Sequence, residues 1–272
     1  MTAPTALGAP SASTRSASGG ISVAVISLAP VKSLGLTRVE EVELTQTRVV
    51  GDHEFFLVDE DNRLFVAVRF GALVTVRPEL DGDRLALTFP DGTRVAGEVE
   101  PGPAVKTDFY GFRTVKGNEM LGPWSEALSA FVKQPVRLIK AVAGDGFDVT
   151  PVSIVSSASI ERLGEETGSP VDRRRFRMLL QVDGCEPHEE DTWTRVQIGE
   201  AVVRIGSELG GPIPRCAVIT QSPDTGKRDL DTLRVIKGYR GKAPEGILFG
   251  VYASIETPGR VRVGDNVVPS PA

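Results

Sequence analysis

The sequence predicts a β-rich α+β protein, with a barrel-like first half and a second half in which strands mix with a few helices. Three observations lead there. Short apolar runs recur between turn signals such as Asp81-Gly82 and Asp91-Gly92, and helical periodicity is confined to three stretches. The chain has 272 residues, 40% of them hydrophobic and 25% charged, enough for one large core or two modest ones.

Residues 1–19 are rich in Ala, Ser, Thr, Gly and Pro, with one charge at Arg15 and no apolar core. That composition predicts a disordered tail rather than a secretory signal or transit peptide. From Ile21 to Ile26 the chain alternates as a strand, and Phe55–Val58 is a compact apolar run stopped by Asp59–Asn62. Strands are then expected at Leu64–Val68, Leu73–Val76, Leu85–Phe89 and Arg94–Val99, the spacing of a barrel or sandwich. Leu121, Trp124, Leu128, Phe131 and Val132 share one helical face, with Pro123 tolerable in the first turn. Val136–Ile139 leads out as a strand.

In the second half Ser156–Thr167 reads as a helix, with serine at its start and Gly168 at its end. Met178–Val182 and Ala201–Ile205 read as strands. Leu230, Leu233 and Ile236 mark a short helix closing near Gly238, before strands at Leu248–Ile255 and Arg260–Val263. The expected division is a tail at 1–19, a barrel domain at 20–117, a helix and connecting strand at 118–150, and a second domain at 151–269.

The formal charge of −5 gives no global reason to expect nucleic acid. Two cysteines exclude a disulfide scaffold and an iron–sulfur cluster held by four cysteines of this chain. No apolar run approaches the roughly 18 residues of a membrane span. Together these features predict a cytoplasmic protein with neither nucleic acid nor membrane as partner. Neither a P-loop nor a Rossmann glycine fingerprint is present. Asp224-Thr225-Gly226 occurs once and is followed by Lys227 and Arg228, a solvated turn rather than a protease motif.

Cys216 is the strongest chemical candidate. It follows Arg215, and a neighbouring cation favours the thiolate that a nucleophile or a soft-metal ligand requires. Gly210, Gly211, Pro212 and Pro214 upstream suggest a fixed loop. Read locally, a cysteine buried as a small hydrophobe stays open. Cys185 has acidic neighbours, which suits a structural thiol, and Cys185-x-x-His188 finds no recognisable zinc spacing. Lys32 and Ser33, after Pro30-Val31 at a strand end, suit an anion such as phosphate, or are an ordinary solvated strand end. Arg177 opens an apolar strand and would need an anionic partner if buried. Arg173, Arg174 and Arg175 read as a solvated run.

In order and spacing these segments resemble the MOSC family, the domain named after the C-terminal part of molybdenum cofactor sulfurases. The nearest branch contains the mitochondrial amidoxime-reducing component and its bacterial relatives. The matching stretches in the first half are Pro30-Val31-Lys32-Ser33, Gly51 through Asp59, and Arg69 through Leu73. In the second half they are Phe176-Arg177, Gly184-Cys185, Glu190 through Trp193, Pro214-Arg215-Cys216 and Asp224-Thr225-Gly226. Asp231 through Leu233, Tyr239-Arg240, Leu248 through Gly250 and Val263 through Asp265 complete the series. The resemblance implies an N-terminal MOSC β-barrel domain followed by a MOSC β-barrel domain with a few helices.

It further implies that Cys216 is the protein ligand to molybdenum in a molybdopterin cofactor, independent of pyridoxal phosphate. Lys32 and Ser33 match cofactor-phosphate contacts, and Arg177 matches a cofactor-facing arginine. His53, Arg69, Ser157 and Arg215 join the cofactor-binding candidates, and Asp224 matches an acid near the metal with a catalytic role. In two places the chain departs from the family. Asp52-His53 stands where Asp-Arg is usual, and Phe176-Arg177-Met178-Leu179 where Phe-Arg-Pro-Asn is usual. The implied activity is reduction of N-hydroxylated or other N–O substrates. Electrons would come from a separate reductase or ferredoxin-like donor, since the chain lacks its own relay. The alternative is a non-redox protein using Cys216 as sulfur carrier or in a C–S or biosynthetic reaction.

Overall fold

The computed structural model describes residues 19–206 and 210–271, so the expected tail lies, apart from Gly19, outside the described residues. The strands of the first half are β1 (Ser22–Leu28), β2 (Thr37–Val39), β3 (Glu41–Leu44), β4 (Phe55–Val58), β5 (Arg77–Asp81), β6 (Arg84–Thr88), β7 (Arg94–Glu98), β8 (Glu100–Phe109) and β9 (Arg113–Leu121). Helix α1 (Trp124–Val132) precedes β10 (Arg137–Ala141), β11 (Val152–Ser156), α2 (Ser157–Thr167), β12 (Leu180–Asp183), β13 (Trp193–Ile198), β14 (Ala201–Ile205) and β15 (Gly211–Pro214). Helix α3 (Thr232–Arg240), β16 (Leu248–Thr257), β17 (Gly259–Arg262) and β18 (Val267–Pro271) close the chain. The fold is β-rich α+β, as the alternation predicts.

Nine strands form one large sheet in the order β18-β13-β14-β16-β11-β12-β1-β2, with β15 added on β16. Buried residues of alternate positions, among them Val23, Ile154, Leu180, Val196, Val203 and Val251, make its core. A barrel-like second body combines the four-stranded sheet β4-β10-β9-β8 with the three-stranded sheet β5-β6-β7. Its core gathers Phe55, Leu57, Leu73, Leu85, Trp124 and Leu138. Trp124 is fully buried and its indole donates to the Leu85 carbonyl at 3.2 Å, so truncation to alanine should cost about 3–5 kcal/mol.

Helix ends follow local chemistry. Ser156 caps α2, its hydroxyl accepting from the Ser159 amide at 3.0 Å, and Gly168 at φ +72° ends it. The expected strand at 73–76 is instead a 3-10 turn, Gly71–Thr75, which buries Leu73 and Val74 without a ladder. Gly71 abuts the backbone of Gly226 so closely that a β-carbon would overlap it. Leu64–Val68 also folds as turns, with Phe65, Val66 and Ala67 buried. The run before Cys216, read as a loop, is strand β15 paired with β16.

The first strand does not belong to the body built from the residues that follow it. β1 pairs antiparallel with β12, deep in the second half of the chain. The chain passes to the second body over residues 29–34, returns for β2 and β3, leaves again over residues 50–54 and comes back over residues 142–150. The first of these, the outward crossing, and the last, the return crossing, meet at one place.

Candidate functional site

The outward crossing is pinned from both sides. Ala29 donates its amide to Asp52 Oδ1 at 2.6 Å, and the Lys32 amide donates to Phe55 O at 2.7 Å. Ser33 turns the chain at φ +74°. This leaves the Lys32 ammonium buried, where a lone charge is costly and an anion must answer it. Asp148, on the return crossing, answers it with an ion pair. The ammonium also lies 5.5 Å from the Phe109 ring and 6.0 Å from the Tyr110 ring. Burial alone would raise the Asp148 carboxyl. Lys32, with His53 and Arg177 beyond it, outweighs burial and holds it below the usual carboxylate range.

His53 sits beside this pair at φ +49°, its Nδ1 2.6 Å from Asp52 Oδ2. Arg177 follows the 3-10 turn Arg173–Phe176 at φ +53°. Burial pushes its guanidinium down to about 10, against the pull of Asp52, Asp148 and Cys216. Its Nη2 is buried without a hydrogen-bond partner. Ser33, His53, Tyr110 and Arg177 are four of the seven non-glycine residues with positive φ among the described residues. Each such conformation costs about 1–3 kcal/mol, and their concentration at one junction marks a functional place.

Arg177 lines a cavity of about 490 Å³ between the two bodies, with Arg77, Arg175, Val218, Gln221 and Asp224 on its walls. Gln221 is buried and donates Nε2 to the Ala67 carbonyl at 3.0 Å, which leaves its Oε1 without a partner. Arg175 holds Asp229 through Nη1 and Nη2 at 2.7 and 2.9 Å, but its Nε is likewise orphaned. Three unpartnered buried polar atoms thus belong to residues that line one cavity, and each costs about 1–3 kcal/mol if left bare.

Cys216 lies at the end of β15, where it enters the 3-10 turn Ala217–Thr220, and is exposed. The charges of Arg177 and Arg215 reach it, and the Tyr110 and Tyr252 hydroxyls lie within its electrostatic range. Lys32, Ser33, His53, Arg177 and Cys216 therefore share one junction.

Four other expected residues do not join them in that role. Arg215 turns inward: Nε donates to Phe249 O at 2.8 Å, Nη1 to Phe176 O at 3.1 Å, and Nη2 to Met178 Sδ at 2.7 Å. It braces the backbone under Cys216 through these bonds. Asp224 is exposed and paired with Arg174 at 2.8 Å, on the cavity rim. Ser157 binds Asp183 and accepts from Gln181 at 2.7 Å. Arg69 is exposed over the Phe70 ring at 5.9 Å.

Sequence reasoning missed Asp148, Gln221, Tyr110 and Tyr252. Asp148 had a signal, a carboxylate in a glycine-broken turn just before an apolar strand. Gln221 had none, because its role depends on the Ala67 carbonyl, distant in the chain.

Two family models match the chain. The MOSC N-terminal beta barrel domain covers residues 21–135 and the MOSC domain covers residues 144–268. Mitochondrial amidoxime reducing component 2 of Rattus norvegicus is 28% identical, over 88% of this chain and 80% of its own length. Mitochondrial amidoxime-reducing component 1 of Homo sapiens is 27% identical, over 90% of this chain and 82% of its own. Over a shorter stretch, 44% of this chain and 37% of the relative, component 2 of Bos taurus reaches 38% identity. These relatives are mitochondrial by name, which overturns the expectation of a cytoplasmic protein. Cysteine count and the composition of the first residues do not report an address read by a receptor. No helix among the described residues is long and apolar enough to cross a membrane. With the two models following one another across nearly all of it, the chain belongs to the MOSC family, an N-terminal MOSC beta barrel domain leading into a MOSC domain.

Proposed function

We propose that this protein is a molybdenum cofactor-dependent oxidoreductase that reduces N-hydroxylated compounds, amidoximes among them, with electrons from a separate redox partner. The observation that carries the reading is the junction itself. A buried guanidinium with an orphaned Nη2 interacts with the charge of the exposed Cys216 thiol, lines a cavity together with Gln221, and acts on Asp148, the partner of the buried Lys32 ammonium. Family membership and the amidoxime-reducing relatives support the same reading.

The residues present fit the group. Cys216, an exposed thiol within reach of the Arg177 and Arg215 charges, would be the protein ligand to the metal. The dithiolene sulfurs of the cofactor would complete a soft donor set. Lys32 and Ser33 would hold its phosphate by charge-assisted hydrogen bonds, Arg177 would donate Nη2, and Gln221 Oε1 would accept from an N–H. When bound, the cofactor supplies a metal centre that passes an electron pair to an N–O bond.

Everything else is the work of the chain. Arg215 fixes the backbone on which Cys216 rides. Burial raises the Tyr252 hydroxyl above its ordinary range, so it keeps its proton at neutral pH close to Cys216. Cleaving one N–O bond takes two electrons and two protons and releases water. Two cysteines cannot build an internal electron relay, so the electrons arrive from outside.

Protein purified from a cofactor-replete host is expected to carry near-stoichiometric molybdenum and pterin. It should convert an amidoxime to its amidine with a reduced viologen as electron source. Protein free of both metal and pterin under those conditions contradicts the reading.

A further inference from the structure

The β8–β9 hairpin runs from the four-stranded sheet to the edge of the Cys216 junction. Its inner face, with Val105, Phe109 and Val115, is buried. Arg113 anchors its tip to the return crossing, donating to Asp145 Oδ2 at 2.8 Å and to the Phe147 carbonyl. The outer face is different. Lys106 and Lys116 stand directly opposite one another in the ladder, both exposed, with no ion pair among the described residues. Like charges in that position repel and weaken a sheet.

Alternation carries this outer face on to Thr114 and Asp108 and then to Phe112 and Tyr110 at the tip. Val142 extends it sideways, its amide bonded to the Lys116 carbonyl at 2.9 Å. Among the described residues six large hydrophobics are exposed, and three of them, Tyr110, Phe112 and Val142, lie on this one face. Phe112 is 77% exposed. Exposed apolar groups rimmed by charge mark an interaction surface.

Tyr110 ties the face to the site, since its ring lies 6.0 Å from the Lys32 ammonium. We infer that the outer face of the β8–β9 hairpin, with Lys106, Lys116, Phe112 and Val142, is the docking surface for an acidic one-electron donor protein, for which a reduced ferredoxin serves as the probe. The inference rests on the oxidoreductase reading above. Charge complementarity selects the partner: a local pair of unanswered cations, on a chain whose net charge is −5, attracts an acidic surface and steers its approach. Position selects its role, because only an electron donor must be brought to the rim of the cofactor site. A reduced [2Fe–2S] ferredoxin gives up one electron per encounter. Two encounters therefore supply the pair that cleaves an N–O bond, two protons come from solvent, and water leaves.

The test uses the cofactor-loaded enzyme with reduced plant-type ferredoxin as probe, in parallel with reduced viologen, which needs no docking surface. In K106E/K116E, and separately in Phe112→Ser, ferredoxin-driven amidoxime reduction is expected to fall about 10-fold or more while viologen-driven reduction is unchanged. The wild-type ferredoxin rate should drop steeply with salt, and that dependence should flatten in the double variant. A viologen-active wild type that ferredoxin does not drive overturns the inference. So do variants that lose both rates together, or neither. A wild-type dimer that the double variant dissociates would assign the face to a second copy of the chain. Sedimentation with phosphatidylserine vesicles that the variant abolishes would assign it to a membrane, and either result overturns the inference. A wild type that viologen cannot drive contradicts the oxidoreductase reading itself, and the docking surface falls with it.

Discussion

Cys185 and Cys216 each follow a strand of the large sheet, yet their surroundings differ in every property that governs thiol chemistry. Cys185 comes after β12, half-buried against the large-sheet core. Burial, with Glu190 and Glu189 adding their negative charge, pushes its thiol up to about 12. Cys216 comes after β15, exposed, where the charges of Arg177 and Arg215 reach it. One thiol is kept protonated by acids and apolar walls. The other is presented by a braced backbone among cations. The difference teaches that the inward-turned arginine matters as much as the cavity-facing one, since it fixes where the second thiol stands.

The sharpest way to break this contrast is alkylation of the cofactor-free protein at pH 8. Cys216 should react with iodoacetamide at least about 100-fold faster than Cys185, whose thiol is almost wholly protonated there. Comparable rates, read by peptide mass, would erase the distinction.

Separating the two arginines comes next. Arg177→Met removes a buried donor with an open Nη2, so cofactor content should fall about 10-fold or more at nearly unchanged melting temperature. Arg215→Met leaves the Phe249 and Phe176 carbonyls bare and should cost about 1–3 kcal/mol, seen as a lowered melting temperature. The reverse pattern would mean the roles are exchanged.

A smaller effect is expected at His53. Its Nδ1 is held by Asp52, and a guanidinium in its place carries more donors toward an anion. His53→Arg should therefore raise cofactor retention on dialysis by about 2–5-fold.

The smallest effect concerns the end of the sheet near Cys185. Burial first, then Arg240 and Arg162, lower His188 to about 4. Between the ordinary value near 6.5 and about 4 the unfolded chain binds more protons at this residue, so stability is lost as pH falls through that window. Glu190 and Asp191, raised by burial, work in the opposite sense. The signal is thus the difference between wild type and His188→Gln, whose melting temperature should decline less from pH 6.5 to 4.5.

Much of the fold was legible because burial alternates. β1, β4, β6, β7, β14 and β16 stand within a few residues of their apolar runs. The β8–β9 hairpin was not legible, because Pro101, Gly102 and Pro103 and a charged outer face mask its inward Val105 and Phe109. The 3-10 turn at Gly71–Thr75 hid as a strand because an apolar run bounded by turns does not declare its own dihedrals. At the site, Lys32, Arg177 and Cys216 announced themselves as charges or a thiol out of place. The turn of Arg215 toward carbonyls was not legible, because a buried guanidinium is satisfied by carbonyls as well as by a ligand and sequence does not show which way it turns. Ser157 opens the helix read at 156–167, and its bonds to Asp183 and Gln181 were not legible because both partners are distant in the chain.

The central claim is that Cys216, and not Cys185, is the thiol around which the cofactor is held. Molybdenum and pterin content of Cys216→Ser and Cys185→Ser, purified beside the wild type from the same cofactor-replete host, tests it most directly. The account predicts molybdenum near background in Cys216→Ser and near the wild-type level in Cys185→Ser. Equal molybdenum in the two variants, or its loss only in Cys185→Ser, would contradict it.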